Sequence, residues 1–175
     1  MKTKNIVYCA VFTALIAVSA FIRIPVPPVP FTAQTLFVLL AGLLLGAKKG
    51  SVSCIIYLVM GLIGIPVFTT GGGLSCLLQP TSGFLIGFIP GAFVTGLVIG
   101  CKKDFRHAFC AAITGSIVIY IIALTYAYIL ANFVTGQGLA IGTLLISYCA
   151  VFIPSDIAKA AIAAYAYVKL KKAGI

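Results

Sequence analysis

Two charged residues stand where charge is expensive. Asp156 and Lys159 lie within the apolar C-terminal stretch SDIAKAAIAAYAYV. A spacing of three places both side chains on one face of a helix, and Pro154 followed by Ser155 marks its start, with Ser155 placed as the N-cap. An ionisable residue inside a transmembrane segment is a functional candidate by default. One acceptor and one donor facing a pocket suit a polar, uncharged group that offers both N–H and C=O. The competing reading is an ion pair that only holds the helix in place. Against it, the chain otherwise keeps charge at one membrane boundary, and the position of Lys169 sets Lys159 about 15 Å above that boundary.

Other polar side chains fall at the same level: Gln34 and Thr35 at the start of one apolar stretch, Thr81 and Ser82 at the start of another. Capping or interhelical hydrogen bonding explains each of them taken singly. Their convergence with Asp156 is the stronger argument for a site. Gly71, Gly72 and Gly73 could present backbone N–H groups to a carboxylate, or serve as a flexible gate. Arg23 could meet an anionic ligand or anchor the chain at the interface. Six cysteines without CxxC spacing and a single histidine, His107, leave a zinc, haem or iron–sulfur site without ligands. The sequence holds no nucleophile and base pair, no carboxylate dyad and no Walker motif, so it predicts neither an enzyme nor an ATPase.

The elements that position these residues must be membrane helices. Of 175 residues, 62% are hydrophobic and 8% charged, against about 25% charged in soluble domains, too few to cover the surface of a globule in water. At about 20 residues per crossing, the length accommodates roughly six spans and no soluble domain, so residues 1–175 are read as one membrane domain. Apolar stretches bounded by Pro, Gly or Lys clusters place the helices near 6–22, 32–47, 51–65, 82–101, 108–131 and 155–170. A further apolar stretch at 139–153 is short for a crossing and reads as re-entrant or interfacial, a seventh span being the alternative. With six crossings every basic residue except Arg23 and Lys159 falls on one face, which puts both termini in the cytoplasm of a multi-pass cell-membrane protein. The net charge of +10 then reflects orientation and attraction to anionic lipid, not nucleic acid. On the opposite face, Pro25, Pro27, Pro28 and Pro30 predict a stiff extended loop. Apolar, non-helical backbone is tolerated at the membrane only where protein buries it or where it lines a cavity, so the outer loops are expected to cap a pocket. On the first helix, Ala10, Ala14, Ala17 and Ala20 form a small-residue strip that lets another helix approach closely or packs internally.

Taken together and in order, several segments resemble BioY, the family of biotin-specific substrate-binding (S) components of energy-coupling factor (ECF) transporters. They are Pro25 to Thr35 (PVPPVPFTAQT), Leu43 to Gly50 (LLLGAKKG), Tyr57 to Phe68 (YLVMGLIGIPVF), the triple glycine with Pro80-Thr81-Ser82-Gly83-Phe84, and Pro154 to Lys159 (PSDIAK). The resemblance implies an all-α, six-helix S-component fold that captures biotin from outside. It also implies a transmembrane T component and two cytoplasmic ATPases that supply the ATP hydrolysis. It assigns Asp156 and Lys159 to the ureido ring and sets Ala10 and Ala14 against the T component; with the polar candidates read above, the expected ligand-binding set is Asp156, Lys159, Gln34, Thr35, Gly72, Gly73, Thr81, Ser82 and Phe84. Where the family often carries Gly-Gly-Tyr, this chain has Ser82-Gly83-Phe84, so a tyrosine hydroxyl is missing at Phe84, and Ser82 offers a polar contact. A membrane scaffold or assembly subunit without a small-molecule ligand is the competing class.

Overall fold

A computed structural model describes residues 3–24, 31–136, 142–143 and 152–174. The proline loop at 25–30 and most of the 139–153 stretch lie outside the described residues. The order is α1 (Thr3–Ser19), β1 (Arg23–Ile24), β2 (Phe31–Thr32), a helical run Gln34–Leu62, a 3-10 helix Leu74–Leu78, then Ser82–Ile99, Phe105–Ile129 and Ile153–Lys172.

The run Gln34–Leu62 is not one rod. It reverses at Gly46, whose φ of 78° and ψ of 174° lie outside the helical region; such a φ is readily open to glycine. The arms, α2 (34–45) and α3 (47–62), lie side by side: Gln34 Nε2 donates to Tyr57 Oη at 2.7 Å, whereas a straight helix would hold these residues about 34 Å apart. The remaining helices are α4 (Ser82–Ile99), α5 (Phe105–Ile129, continued by a π turn Leu130–Val134) and α6 (Ile153–Lys172). By length and hydropathy, Gln34–Leu62, Ser82–Ile99 and Phe105–Val134 are each long and apolar enough to cross a membrane, the first of them folded in two. The expected Ser155 cap is displaced. Helix α6 begins at Ile153, with Phe152 as its N-cap residue and no side-chain cap bond, because proline is tolerated in the first turn, where its missing N–H would have had no partner.

Small residues bring the rods close. A Cβ on Gly83 would lie 2.8 Å from the backbone of Ala123, and one on Gly87 3.0 Å from the Ile119 carbonyl, so α4 and α5 touch backbone to backbone. On its other side α4 meets the α2–α3 hairpin, where Gly42 abuts the Ala92 carbonyl and Gly96 abuts Ala47. Helix α1 runs alongside α3, its Thr13 hydroxyl donating to the Ser53 carbonyl at 3.1 Å.

These contacts sort the chain ends. Lys49 bonds Asn5 at 3.0 Å, the α2–α3 turn meets the end of α4, and Tyr167 donates to the Lys102 carbonyl at 2.6 Å. The basic clusters at Lys48 and Lys49, Lys102 to Arg106, and Lys169 to Lys172 therefore share one end of the bundle. The opposite end carries the start of α2, the loop after α3, the start of α4 and the start of α6.

Candidate functional site

At that opposite end a cavity is enclosed by residues from every one of these elements. Strand β2 contributes Thr32, the start of α2 Gln34 and Thr35, and the loop after α3 Phe68, Thr69 and Thr70. From α4 come Ser82, Phe84, Leu85 and Phe88, preceded by Thr81, and α5 and α6 add Tyr120, Asp156 and Lys159. Most of the wall is apolar and aromatic, with a few polar groups turned into it, the usual construction of a small-molecule site.

The β1–β2 pair sets the mouth. Arg23 faces Thr32 and Ile24 faces Phe31 in antiparallel register, which sets Phe31 next to Thr32 of the cavity wall. Its ring stacks on Phe152 with centroids 4.2 Å apart, and the Lys159 ammonium stands 6.0 Å from its centre. The loop after α3 is held by several tethers. Tyr57 Oη donates to the Val67 carbonyl at 3.2 Å, the Arg23 guanidinium donates to the Thr69 carbonyl, and Phe68 and Gly71 form a bridge.

Lys159 Nζ donates to Asp156 Oδ1 at 2.7 Å, with side chains only 16% and 10% exposed. The second carboxylate oxygen, Oδ2, accepts from the Tyr120 hydroxyl. Each carboxylate oxygen has two lone pairs and an ammonium has three donors, so both groups retain capacity for a ligand while keeping their present bonds.

Of the side chains singled out from sequence, Asp156, Lys159, Gln34, Thr35, Thr81, Ser82 and Phe84 all line this cavity. Gly72 and Gly73 do not reach its wall. The Gly73 N–H donates to the Gly61 carbonyl at 2.7 Å, and Gly72 lies so close to Ile65 that a Cβ there would sit 2.4 Å from its carbonyl oxygen. The Ser82 hydroxyl donates to the Cys76 carbonyl. Ala10 and Ala14 are exposed and lie in an apolar groove between α1 and α3 with Ile6, Val52, Ile56 and Met60, so these two do not serve internal packing. Among the described residues no group of His, Cys, Asp or Glu could hold a metal ion. At the basic end, Asp104 caps α5, its carboxylate accepting from the His107 backbone and bonding the imidazole at 2.6 Å. Those hydrogen bonds hold its carboxyl below the usual carboxylate range.

The model of the BioY family matches residues 1–174. The chain belongs to the BioY family. It is 48% identical over 133 residues to the probable biotin transporter BioY of Lysinibacillus sphaericus, covering 75% of this chain and 68% of that one. It is 36% identical over 170 residues to the biotin transporter BioY of Thermotoga maritima, covering 97% and 96% of the two chains. The crystal structure of the S-component for biotin from an ECF-type ABC transporter superposes with a TM-score of 0.85 at 30% identity, covering 98% of this chain and 92% of that one. The BioY family is one of transporters, not enzymes.

Within this BioY-family fold, Tyr120 is the residue that sequence reading missed. It stands among isoleucines and leucines in the middle of α5, where nothing local separates it from packing. Its partner is 36 residues away. Phe31 and Phe152 were likewise silent, and for the same reason, since their pairing exists only once β2 and α6 meet.

Proposed function

We propose that this chain is the biotin-binding S component of an ECF-type vitamin importer, and that the cavity is its ligand site. The observation that carries the proposal is the Tyr120–Asp156–Lys159 cluster, the charged spot of a cavity otherwise walled mainly by phenylalanines and by neutral threonine, serine and glutamine side chains. A ureido ring presents N–H donors and a carbonyl acceptor side by side. Asp156 accepts from the N–H groups, and Lys159 donates to the carbonyl. Phe31, Phe68, Phe84, Phe88 and Phe152 supply apolar surface for the fused ring and the aliphatic chain, and Gln34, Thr35, Thr81 and Ser82 supply the remaining polar contacts. Gly72 and Gly73 act at one remove, by shaping the loop that carries Thr69 and Thr70.

In this reading all six helices cross the membrane. The basic clusters mark the cytoplasmic end, both termini are cytoplasmic, and the outer loops cap the cavity from outside. The exposed strip at Ala10 and Ala14 receives a helix of a transmembrane T component, since small residues let backbones approach closely. Two cytoplasmic ATPases supply the ATP hydrolysis for which this sequence has no motif.

Purified protein titrated with biotin tests the ligand. Ligand at 100 times its dissociation constant adds about 2.7 kcal/mol to stability, so a clear thermal shift is expected, and no shift at saturating biotin would leave the scaffold reading in possession. Orientation is tested by a single cysteine placed at Lys171 in a background without other reactive thiols. An impermeant reagent added to intact cells should not modify it, and modification would reverse the topology.

A further inference from the structure

The least expected side chain in the cavity is Tyr120, and three observations bear on it. Its hydroxyl donates to Asp156 Oδ2, the carboxylate oxygen not held by Lys159. Its ring meets Phe84 edge to face, with centroids 5.8 Å apart and planes at 82°, so the phenol is fixed by packing. Finally, Tyr120 and Asp156 line two spaces at once. One is the cavity, and the other is an apolar groove between α5 and α6 walled by Ile113, Ile117, Ile121, Leu124, Ile153 and Ile157.

We propose that Tyr120 is a positioning residue for ligand recognition: its phenol holds the Asp156 carboxylate turned into the cavity and closes the wall between that cavity and the apolar groove. A carboxylate on a helix face can rotate about its side-chain torsions. Held only at Oδ1 by a flexible lysine, it would sample orientations in which its free oxygen faces isoleucines, and a ligand would have to reorder it on binding. A second donor on a rigid ring removes that freedom before the ligand arrives, which is how preorganisation raises affinity. The ring, without the hydroxyl, still fills the wall, so the two contributions separate experimentally.

The inference rests on the biotin reading. The test is a double-mutant cycle of Tyr120→Phe and Asp156→Ala, with biotin binding measured by calorimetry on folded, monodisperse protein. Tyr120→Phe should keep the ring packing and the ligand-free melting temperature near wild type, yet weaken biotin roughly tenfold, the loss of one hydrogen bond to a charged group. In the Asp156→Ala background the same substitution should cost nothing further. Where Asp156→Ala binds too weakly to titrate, selectivity decides: Tyr120→Phe should narrow the affinity ratio between biotin and an analogue methylated on its ureido nitrogens. Wild-type affinity in Tyr120→Phe overturns the proposal, as does a full additive loss in the cycle or a lowered affinity with an unchanged ratio. A wild-type protein that binds no biotin overturns the functional reading itself, an outcome distinct from these.

Discussion

Lys159→Met separates binding from stability. The bridge it breaks is 2.7 Å long between side chains 16% and 10% exposed. Removing one partner from a fully buried pair costs about 3–5 kcal/mol because a charge is stranded. Here Asp156 retains the Tyr120 hydroxyl and a little exposure, so the expected loss of stability is lower, about 2 kcal/mol on the same scale. Asp156→Asn in addition removes the stranded charge, and the double variant should recover most of that stability, as neutral replacements of buried pairs commonly do. Affinity behaves differently. Under the proposed assignment, Lys159→Met deletes a charge-assisted bond to the ligand carbonyl, worth about 1.5–3 kcal/mol, which is roughly one to two decades in Kd. On the same assignment Asp156→Asn weakens the acceptor for the ligand N–H groups, so the double variant should bind worst while melting near wild type. Melting in detergent without ligand and calorimetric titration with biotin are the two assays. Wild-type affinity in the double variant would assign the pair to structure and move recognition toward Gln34 and Thr81.

Three further outcomes are expected. Ala14→Trp should leave biotin binding intact but reduce co-purification of the T component and ATPases, because an indole fills the groove between α1 and α3; full recovery of the complex would place the docking surface elsewhere. Gly87→Leu should lower the yield of folded protein, since a Cβ alone would sit 3.0 Å from the Ile119 carbonyl and overpacking costs about 1–3 kcal/mol or more; Gly64→Ala, with nothing within 4 Å of its Cβ, tests instead only its φ of 106° and should keep the bundle assembled. The Asp104 cap should be pH-dependent. Its carboxyl titrates lower when folded because His107 bonds it, so its contribution is complete above the ordinary carboxylate range of about 4 and is lost as pH falls through and below it. The melting-temperature gap between wild type and Asp104→Ala should therefore shrink on acidification, and a constant gap would refute the cap.

The helices were largely legible because apolar runs in this chain end at residues with strong local reasons to end them. Lys48 to Gly50 marked the turn between α2 and α3, which the fold places slightly earlier, at Gly46, where the backbone needs φ of 78°. The last helix reads from sequence as 155–170 and spans Ile153–Lys172; its start differs because a serine after proline resembles a cap, whereas the chain leaves this helix without a side-chain cap. The cavity was legible in part for a different reason: polar side chains in a membrane sequence are few, and those at the starts of α2, α4 and α6 converge once the helices alternate in direction. Of the aromatic lining only Phe84 is legible in the sequence. Tyr120 and Phe152, and Phe31 stacked on Phe152, have the same local context as any lipid-facing or packing aromatic, and only the tertiary arrangement distinguishes them.

The distribution of hydrogen bonds argues that this end of the bundle is built for a ligand and not for cohesion alone. Hydroxyls along the helices bond to carbonyls of their own helix one turn back: Thr13 to Cys9, Ser53 to Lys49, Thr95 to Gly91, Thr114 to Cys110, Ser116 to Ala112 and Thr125 to Ile121. Such bonds satisfy the side chain locally. Close approach between rods comes from the glycine contacts of α4 with α5 and with the α2–α3 hairpin, to which the Thr13 and Ser51 hydroxyls add bonds to the Ser53 and Ile89 carbonyls across helices. Buried bonds between two side chains are expensive to assemble in a low-dielectric interior, since each half-made pair carries a desolvation penalty. Three of them nevertheless gather at the cavity, Gln34 with Tyr57, Tyr120 with Asp156, and Lys159 with Asp156. A bundle already held by close backbone contact gains little from a charged pair there, whereas a ligand with alternating donors and acceptors can be discriminated only by such groups. Among the described residues the bundle therefore gathers three buried or partly buried polar side-chain pairs at the end where a ligand would use them, against one, Lys49 with Asn5, at the basic end.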